Sequence, residues 1–139
     1  MLGTTIEQGE KLIKAGISRM TADLNWKPIT DEEGKIEYKL DDTPALLTAW
    51  PSKPSWSAEA LLDLLPKKIY LGRIYPTPCY LRIIKDEDTG EYWFSYVGIT
   101  SGDDYISARE KGFIDACAEF ILELKKEHYS EEGEDDDDY

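Results

Sequence analysis

The stretch Cys79–Gly98, "CYLRIIKDEDTGEYWFSYVG", carries the clearest structural pattern in the chain. Before the turn, Tyr80, Arg82 and Ile84 alternate with Leu81, Ile83 and Lys85; after it, Tyr92, Phe94 and Tyr96 alternate with Trp93, Ser95 and Val97. A period of two residues is that of a β-strand. The residues from Asp86 to Gly90 are typical of a turn, so the stretch predicts a β-hairpin.

Downstream, residues 107–127 have the spacing of an amphipathic helix. Its apolar residues recur at steps of three and four: Phe113, Ile114, Cys117, Ile121 and Leu124. Ser107 and Glu110 have the spacing of a capping box, so we expect the helix to begin at Ser107. Asp103 and Asp104 would then precede its positive N-terminal end.

Upstream, two further elements are predicted. Residues 5–15 read as a short helix, with Thr5 and Gln8 at capping-box spacing. Residues 25–40 predict a second hairpin, because apolar residues alternate around a turn that contains glycine. Pro28 lacks an N–H group, which predicts that the first strand of this hairpin lies at a sheet edge.

The proline-rich stretch 41–56 predicts an ordered loop, because it is too apolar for a free linker. A helix over 58–65 should follow, capped by Ser57. Trp56 and Leu61 occupy the two positions of a hydrophobic staple around that cap.

These elements predict an α+β fold: a small antiparallel sheet covered by helices. A chain of 139 residues suits one compact domain, which we place at 1–129, with a disordered acidic tail at 130–139. No apolar run is long enough for a membrane span, and the first residues lack the pattern of a signal peptide. The expected location is the cytoplasm.

The net charge of −13 constrains the partners. Seven of the acids lie in the last ten residues, and the rest of the chain is itself acidic. An acidic surface repels phosphate backbones, so we expect no direct binding to nucleic acid. A protein partner that is basic or binds nucleic acid is more compatible with the negative electrostatic field of this chain.

Residues able to carry catalysis are few. His128 is the only histidine and lies beside the acidic tail, where no third group would hold it. The spacing of Cys79 and Cys117 fits no metal-binding pattern. Two cysteines in a cytoplasmic chain are usually buried and reduced. We therefore predict no enzyme activity, no catalytic residue, no metal site and no cofactor.

The segment "EYWFSYV" at residues 91–97 has a slight likeness to the aromatic strand of an RNA-binding sheet. Such sheets stack bases on exposed rings. The acidic charge argues against that use, so we expect Tyr92, Trp93 and Phe94 to serve core and cross-strand packing.

Four segments together resemble a known group of proteins. They are "TIEQGEKLIKAGISRMTADLNW" at 5–26, "PSWSAEALLDLLP" at 54–66, "YWFSY" at 92–96 and "GFIDACAEFILEL" at 112–124. The chain resembles small uncharacterised proteins encoded by phages and integrated mobile elements of gut bacteria. The insert at 27–49 and the acidic tail depart from that pattern. The resemblance implies an accessory gene acting in the bacterial cytoplasm, a class that includes inhibitors of host defence.

Three hypotheses follow. The first is a non-enzymatic protein that binds a protein partner, as an inhibitor of host defence or an acidic mimic of nucleic acid; its candidate residues are Trp50, Asp86, Glu87 and Asp88. The second is a binding protein for a small nucleotide signal, with candidate residues Arg73, Arg82 and Lys85. The third, an enzyme, has the least support from the residue inventory.

Overall fold

The computed structural model describes residues 2–42, 52–72 and 74–131. Within these ranges the α-helices are α1 (Ile6–Lys14), α2 (Ala58–Asp63) and α3 (Phe113–Lys125), and Arg19–Thr21 forms one turn of 3₁₀-helix. The strands are β1 (Leu24–Thr30), β2 (Ile36–Asp41), β3 (Lys53–Ser55), β4 (Lys68–Leu71), β5 (Thr77–Lys85), β6 (Tyr92–Gly98), β7 (Asp104–Glu110) and β8 (Tyr129–Ser130). Antiparallel sheets combined with helices confirm the predicted α+β class.

Contacts divide the chain into two compact units, residues 1–62 and 63–139. The N-terminal unit contains a three-stranded sheet in the order β2-β1-β3. The C-terminal unit contains a five-stranded sheet in the order β7-β6-β5-β4-β8. The division of the chain into one domain at 1–129 and a tail at 130–139 stays a prediction; β8 extends to Ser130, and residues 132–139 lie outside the described ranges.

The predicted capping box of α1 is confirmed. Thr5 Oγ1 accepts a hydrogen bond from the backbone N–H of Gln8, and the Gln8 side chain accepts one from the N–H of Thr5. The helix ends before Gly16, whose φ of +101° places it in the left-handed region that glycine adopts without strain.

Thr4 connects three segments of the N-terminal unit. Its N–H donates to the carbonyl of Trp56 at 2.9 Å, and its Oγ1 accepts from the N–H of Trp56. Its own carbonyl accepts from Trp26 Nε1 at 2.9 Å and from Ser55 Oγ at 2.8 Å. Because Thr4 and Ser55 are fully buried, these bonds satisfy polar groups that would otherwise be costly inside the unit.

The hairpin predicted over 25–40 is confirmed as β1 and β2, with pairing from Asn25–Asp41 to Thr30–Ile36. The prediction that Pro28 makes β1 an edge strand is wrong, because β1 is the middle strand of its sheet. The physical rule still holds locally. β3 pairs only with Leu24–Trp26, so no described residue of β3 needs a hydrogen bond from the missing N–H group of Pro28.

The start of α2 follows the prediction and its end does not. Ser57 Oγ accepts from the N–H of Ala60, and both staple residues, Trp56 and Leu61, are fully buried. Asp23 fixes the cap from outside the helix by accepting from the N–H and the Oγ–H of Ser57. The helix ends at Asp63 rather than at residue 65, which is two residues short of the position whose backbone Pro66 restricts.

The core of the C-terminal unit forms where α3 lies on β6 and β7. Phe120 of α3 stacks on Tyr96 with ring centroids 5.3 Å apart, and it meets Phe94 at 5.7 Å. All three rings are fully buried. Tyr96 Oη donates to the carbonyl of Pro66 at 2.7 Å, which satisfies the one polar group that this ring brings into the core.

The predicted helix start at Ser107 is wrong. Residues Asp104–Glu110 form β7, and α3 begins only at Phe113, after an N-cap at Gly112 that has no side-chain capping bond. Ser107 pairs with Ser95 in the middle of β6, while Ile106 and Ala108 on either side are buried against α3. Pairing with β6 therefore overrides the capping-box spacing; Asp103 precedes β7 and Asp104 is the first residue of that strand, so neither lies at a helix start.

Among the helices that the structure describes, none combines the length and the apolar character that crossing a bilayer requires.

We expect Tyr96→Phe to lower the free energy of unfolding by about 0.5–1.5 kcal/mol, because the hydrogen bond to the carbonyl of the half-buried Pro66 is lost. Tyr105→Phe is the matched control, since that hydroxyl is exposed and lies only 3.3 Å from Ser101 Oγ. Urea denaturation followed by circular dichroism measures both. Equal effects of the two substitutions would show that the Tyr96–Pro66 bond contributes nothing.

Candidate functional site

The sheet surface opposite α3 gathers the most distinctive side chains of the C-terminal unit. Since Phe94 and Tyr96 point towards α3, the alternation of β6 places Trp93, Ser95 and Val97 on the other side. The strand register sets neighbours beside them on β5 and β7. We call this surface the Trp93 face, and its residues are Tyr80, Arg82, Ile84, Trp93, Ser95, Val97, Ser107 and Arg109.

Two arginines flank the indole ring at the centre of this face. The guanidinium carbon of Arg109 lies 5.0 Å from the centroid of the Trp93 ring, and that of Arg82 lies 5.4 Å from it. Arg109 is the direct cross-strand partner of Trp93, whereas Arg82 reaches it from the diagonal position on β5. Guanidinium groups at these distances are attracted to the ring and hold it in place.

Carboxylates neutralise both arginines. Arg82 pairs with Asp104 at 2.9 Å, and Arg109 pairs with Asp86 at 3.1 Å and with Glu91 at 3.5 Å. The side chains in these pairs are partly exposed, so each pair adds little to stability. Their main effect is on the electrostatic potential of the face. Because three carboxylates pair with the two arginines, the face has no excess of positive charge that would attract an anion.

Two polar groups of this face are buried without a partner among the described residues: Trp93 Nε1 and Arg82 Nε. The other described tryptophans are satisfied, since Trp26 Nε1 donates to the Thr4 carbonyl and Trp56 Nε1 donates to Thr21 Oγ1, both at 2.9 Å. A buried N–H without an acceptor costs about 1–3 kcal/mol. Such groups are uncommon in native folds.

Large apolar side chains of the Trp93 face are accessible, one beside the indole ring at Ile84 and one four residues away along β5 at Tyr80. Tyr80 is 52% exposed and Ile84 is 37% exposed, and the ammonium group of Lys68 lies 5.8 Å from the Tyr80 ring. Tryptophan, tyrosine and arginine are the residue types enriched at the centres of protein–protein interfaces, where they contribute most of the binding energy. The arrangement is therefore suited to contact with another protein.

The structure uses Asp86 for two structural purposes. Its Oδ1 accepts from the N–H of Asp88 in the hairpin turn, and its Oδ2 holds Arg109. Glu87 and Asp88 are exposed at the tip of the same turn, and the described residues contain no ion-pair partner for either side chain. Of these three predicted partner-binding acids, Glu87 and Asp88 are thus the ones left accessible. Trp50, the fourth predicted residue, lies outside the described ranges.

The structure does not bring together the residues suggested for a small ligand. Arg82 and Lys85 lie on opposite faces of β5: Arg82 contacts Trp93, and the Lys85 ammonium group lies 5.4 Å from the ring of Tyr92, which is on the α3 side. Arg73 lies outside the described ranges.

Sequence reasoning missed the Trp93 face because it assigned Arg109 to a helix. The alternation in β6 already separated Trp93 from Phe94 and Tyr96. The sequence did not predict the third strand, β7, and it is the pairing register of β7 with β6 that places Arg109 beside Trp93.

The two cysteines are free and buried. Burial raises the pKa of Cys117 to about 12, and it raises the pKa of Cys79 as well. Both thiols are therefore protonated near neutral pH, and a protonated thiol is a poor nucleophile. Among the described residues, no group of three or more His, Cys, Asp or Glu side chains is placed to hold a metal ion.

The chain matches no protein-family model, no curated protein and no solved structure at a significant level. The resemblance to phage and mobile-element proteins therefore stays a prediction, and the geometry of the site carries the functional argument.

We expect Trp26→Phe to destabilise the fold more than Trp93→Phe does, by about 0.5–1.5 kcal/mol, because only Trp26 loses a hydrogen bond, while the Thr4 carbonyl keeps its second donor, Ser55 Oγ. Both rings are half-buried, so the loss of ring area is similar. Denaturant unfolding of the two variants measures the difference. A larger loss at Trp93 would mean that its N–H has an acceptor in the folded chain.

We expect iodoacetamide at pH 9 to label Cys117 in urea but not in the folded chain, with Cys79→Ser as the background so that one thiol remains. The raised pKa keeps this thiol neutral in the fold, whereas the unfolded thiol ionises near pH 9. Stability from the neutral thiol is therefore complete below pH 9 and is lost as the pH rises towards 12. Mass spectrometry measures the labelling; rapid modification of the folded chain would contradict the burial of Cys117.

Proposed function

We propose that the chain is a non-enzymatic protein that binds another protein through the Trp93 face. The observation that carries the proposal is an indole ring held between two guanidinium groups on a sheet surface that α3 does not cover. A ring fixed in this way loses little conformational entropy when a partner covers it, which favours binding. Tyr80 and Ile84 extend the same surface with exposed apolar area.

The ends of the face indicate the charge of the partner. The β5–β6 turn, with Glu87 and Asp88, lies at one end of β6; at the other end Asp103 precedes β7 and Asp104 is its first residue. Seven residues of strand separate the two ends by roughly 20 Å. A partner with basic groups flanking an apolar centre would match this pattern, because complementary charge at the rim steers association.

The origin and cellular role are a finer proposal. The resemblance to phage and mobile-element proteins suggests an accessory protein that acts in the bacterial cytoplasm, and inhibition of a defence protein fits an acidic binding surface. Mimicry of nucleic acid needs free carboxylates. Since Asp86 and Asp104 are held by arginines, such mimicry would depend on Glu87, Asp88 and Asp103.

A photo-crosslinking amino acid at position 84 tests the proposal in cells that express the chain. Ile84 lies on the Trp93 face, and Ile36 on β2 of the N-terminal unit, which is 58% exposed, is the matched control position. We expect an adduct of defined mass from position 84, absent from position 36 and lost when Trp93→Ala is added. Equal adducts from both positions, or none from position 84, would remove the support for this surface.

The association rate with the crosslinked partner tests the role of the acidic residues at the rim of the Trp93 face. We expect the double variant Glu87→Gln and Asp88→Asn to slow association and to reduce its dependence on salt, while dissociation changes little. Glu32→Gln with Glu33→Gln, in the turn of the other hairpin, is the control of equal charge. Identical association rates for the two double variants would contradict a role for this end of the face.

A further inference from the structure

A second surface, in the N-terminal unit, differs from the Trp93 face in both shape and charge. It is a cleft of about 330 Å³ between α1 and β3. Its lining residues are Ile6, Gly9, Glu10, Ile13, Lys14, Arg19, Ser52, Lys53 and Pro54. Sites for small molecules begin at about 300 Å³, so the cleft is large enough for a small organic ligand.

The floor of this cleft depends on the absence of a side chain at position 9. A Cβ atom placed on Gly9 would lie 2.7 Å from the carbonyl oxygen of Pro54 and 3.5 Å from the ring of Trp56. α1 can therefore lie directly on β3 only with glycine here. Since Trp56 is fully buried and hydrogen-bonded through Nε1, the strand beneath the helix is firmly held.

Apolar groups form most of the accessible wall. Ile6 and Ile13 lie on the same side of α1 as Gly9, because their spacing of seven residues is close to two helical turns. Ile13 is 40% exposed although it belongs to an otherwise well-formed apolar stripe, and Pro54 faces it from β3. These groups would bury apolar area against a ligand.

The charges at the cleft oppose the charge of the whole chain. Three cations line it, Lys14, Arg19 and Lys53, against one acid, Glu10, in a protein whose net charge is −13. Arg19 is held in place, since its Nη2 donates to the carbonyl of Ser52 at 3.1 Å. Lys14 and Lys53 form no ion pair with any described residue, so their charges remain available.

We propose that this cleft binds a small, soluble amphipathic anion, with its apolar body against Ile6, Ile13 and Pro54 and its carboxylate or phosphate near Lys14 and Lys53. The apolar wall alone would accept many small molecules; the excess of cations selects an anion. The proposal is independent of the Trp93 face, because every lining residue belongs to the N-terminal unit.

Decanoate, decanol and decylammonium test the proposal, because they share one apolar chain and carry a negative, a neutral and a positive head. We expect decanoate to shift the amide resonances of Gly9, Lys14 and Lys53 in ¹⁵N–¹H spectra of the full chain, decanol to shift them weakly, and decylammonium to leave them unchanged. Equal binding of decylammonium, or decanoate shifts confined to other residues, would overturn the proposal.

Two double variants distinguish the effect of charges at the cleft on decanoate binding from the effect of the total charge of the N-terminal unit. Lys14→Glu with Lys53→Glu should raise the Kd for decanoate by about tenfold, since each reversed charge repels the anion. Lys27→Glu with Lys39→Glu changes the net charge equally at strands β1 and β2 and should leave the Kd unchanged. The same rise in both double variants would overturn the assignment to the cleft.

Ile13→Gln distinguishes the apolar contact from the charge, and it should weaken both decanoate and decanol. Vesicles of phosphatidylglycerol distinguish a soluble ligand from a membrane surface. If the chain sediments with these vesicles while decanoate leaves the cleft resonances unshifted, the site is a lipid-surface site and the proposal of a soluble ligand is wrong.

Discussion

The alternation of side chains along β6 is the constraint on which the C-terminal unit depends. Phe94 and Tyr96 point towards Phe120 of α3 and complete the core, so Trp93 must point the other way. A slip of one residue in the pairing of β6 would exchange these two sets. The aromatic core therefore fixes the position of the half-buried indole ring, and the candidate binding surface follows from the requirements of folding.

The elements that could be predicted from the sequence are those whose signals are local. The capping box at Thr5, the cap at Ser57 and both hairpins depend on residues a few positions apart, and each was found where the pattern placed it. β7 was missed because Ser107 and Glu110 have the spacing of a helix start, although the structure pairs Ser107 with Ser95 of β6. The register of this strand pair leaves no comparable local mark in the sequence.

The candidate site was harder to predict than the fold for the same reason. Arg82, Trp93 and Arg109 are far apart in sequence, and only the joint register of β5, β6 and β7 brings them together. Asp86 was recognised as a turn residue, but its second role in holding Arg109 needed that register too. The acids at Glu87 and Asp88 were found because an exposed turn tip is a local property.

Net charge describes this chain poorly at the scale of a binding site. On the Trp93 face, cations and carboxylates compensate each other, which leaves a surface governed by aromatic and apolar contact. At the cleft between α1 and β3, cations exceed acids within a strongly acidic protein. The two surfaces thus have different chemistries, and the net charge of −13 predicts the character of neither surface.

The close contact of Gly9 with Pro54 also has a consequence for rates. At Gly9 the floor of the cleft is a helix backbone resting on a strand backbone, so no side chain at this position has to move before a ligand enters. If the lining side chains also stay in place, association is governed by diffusion and by the attraction of charges, without a conformational step that limits it. Differences in affinity among ligands would then arise in how slowly each one leaves.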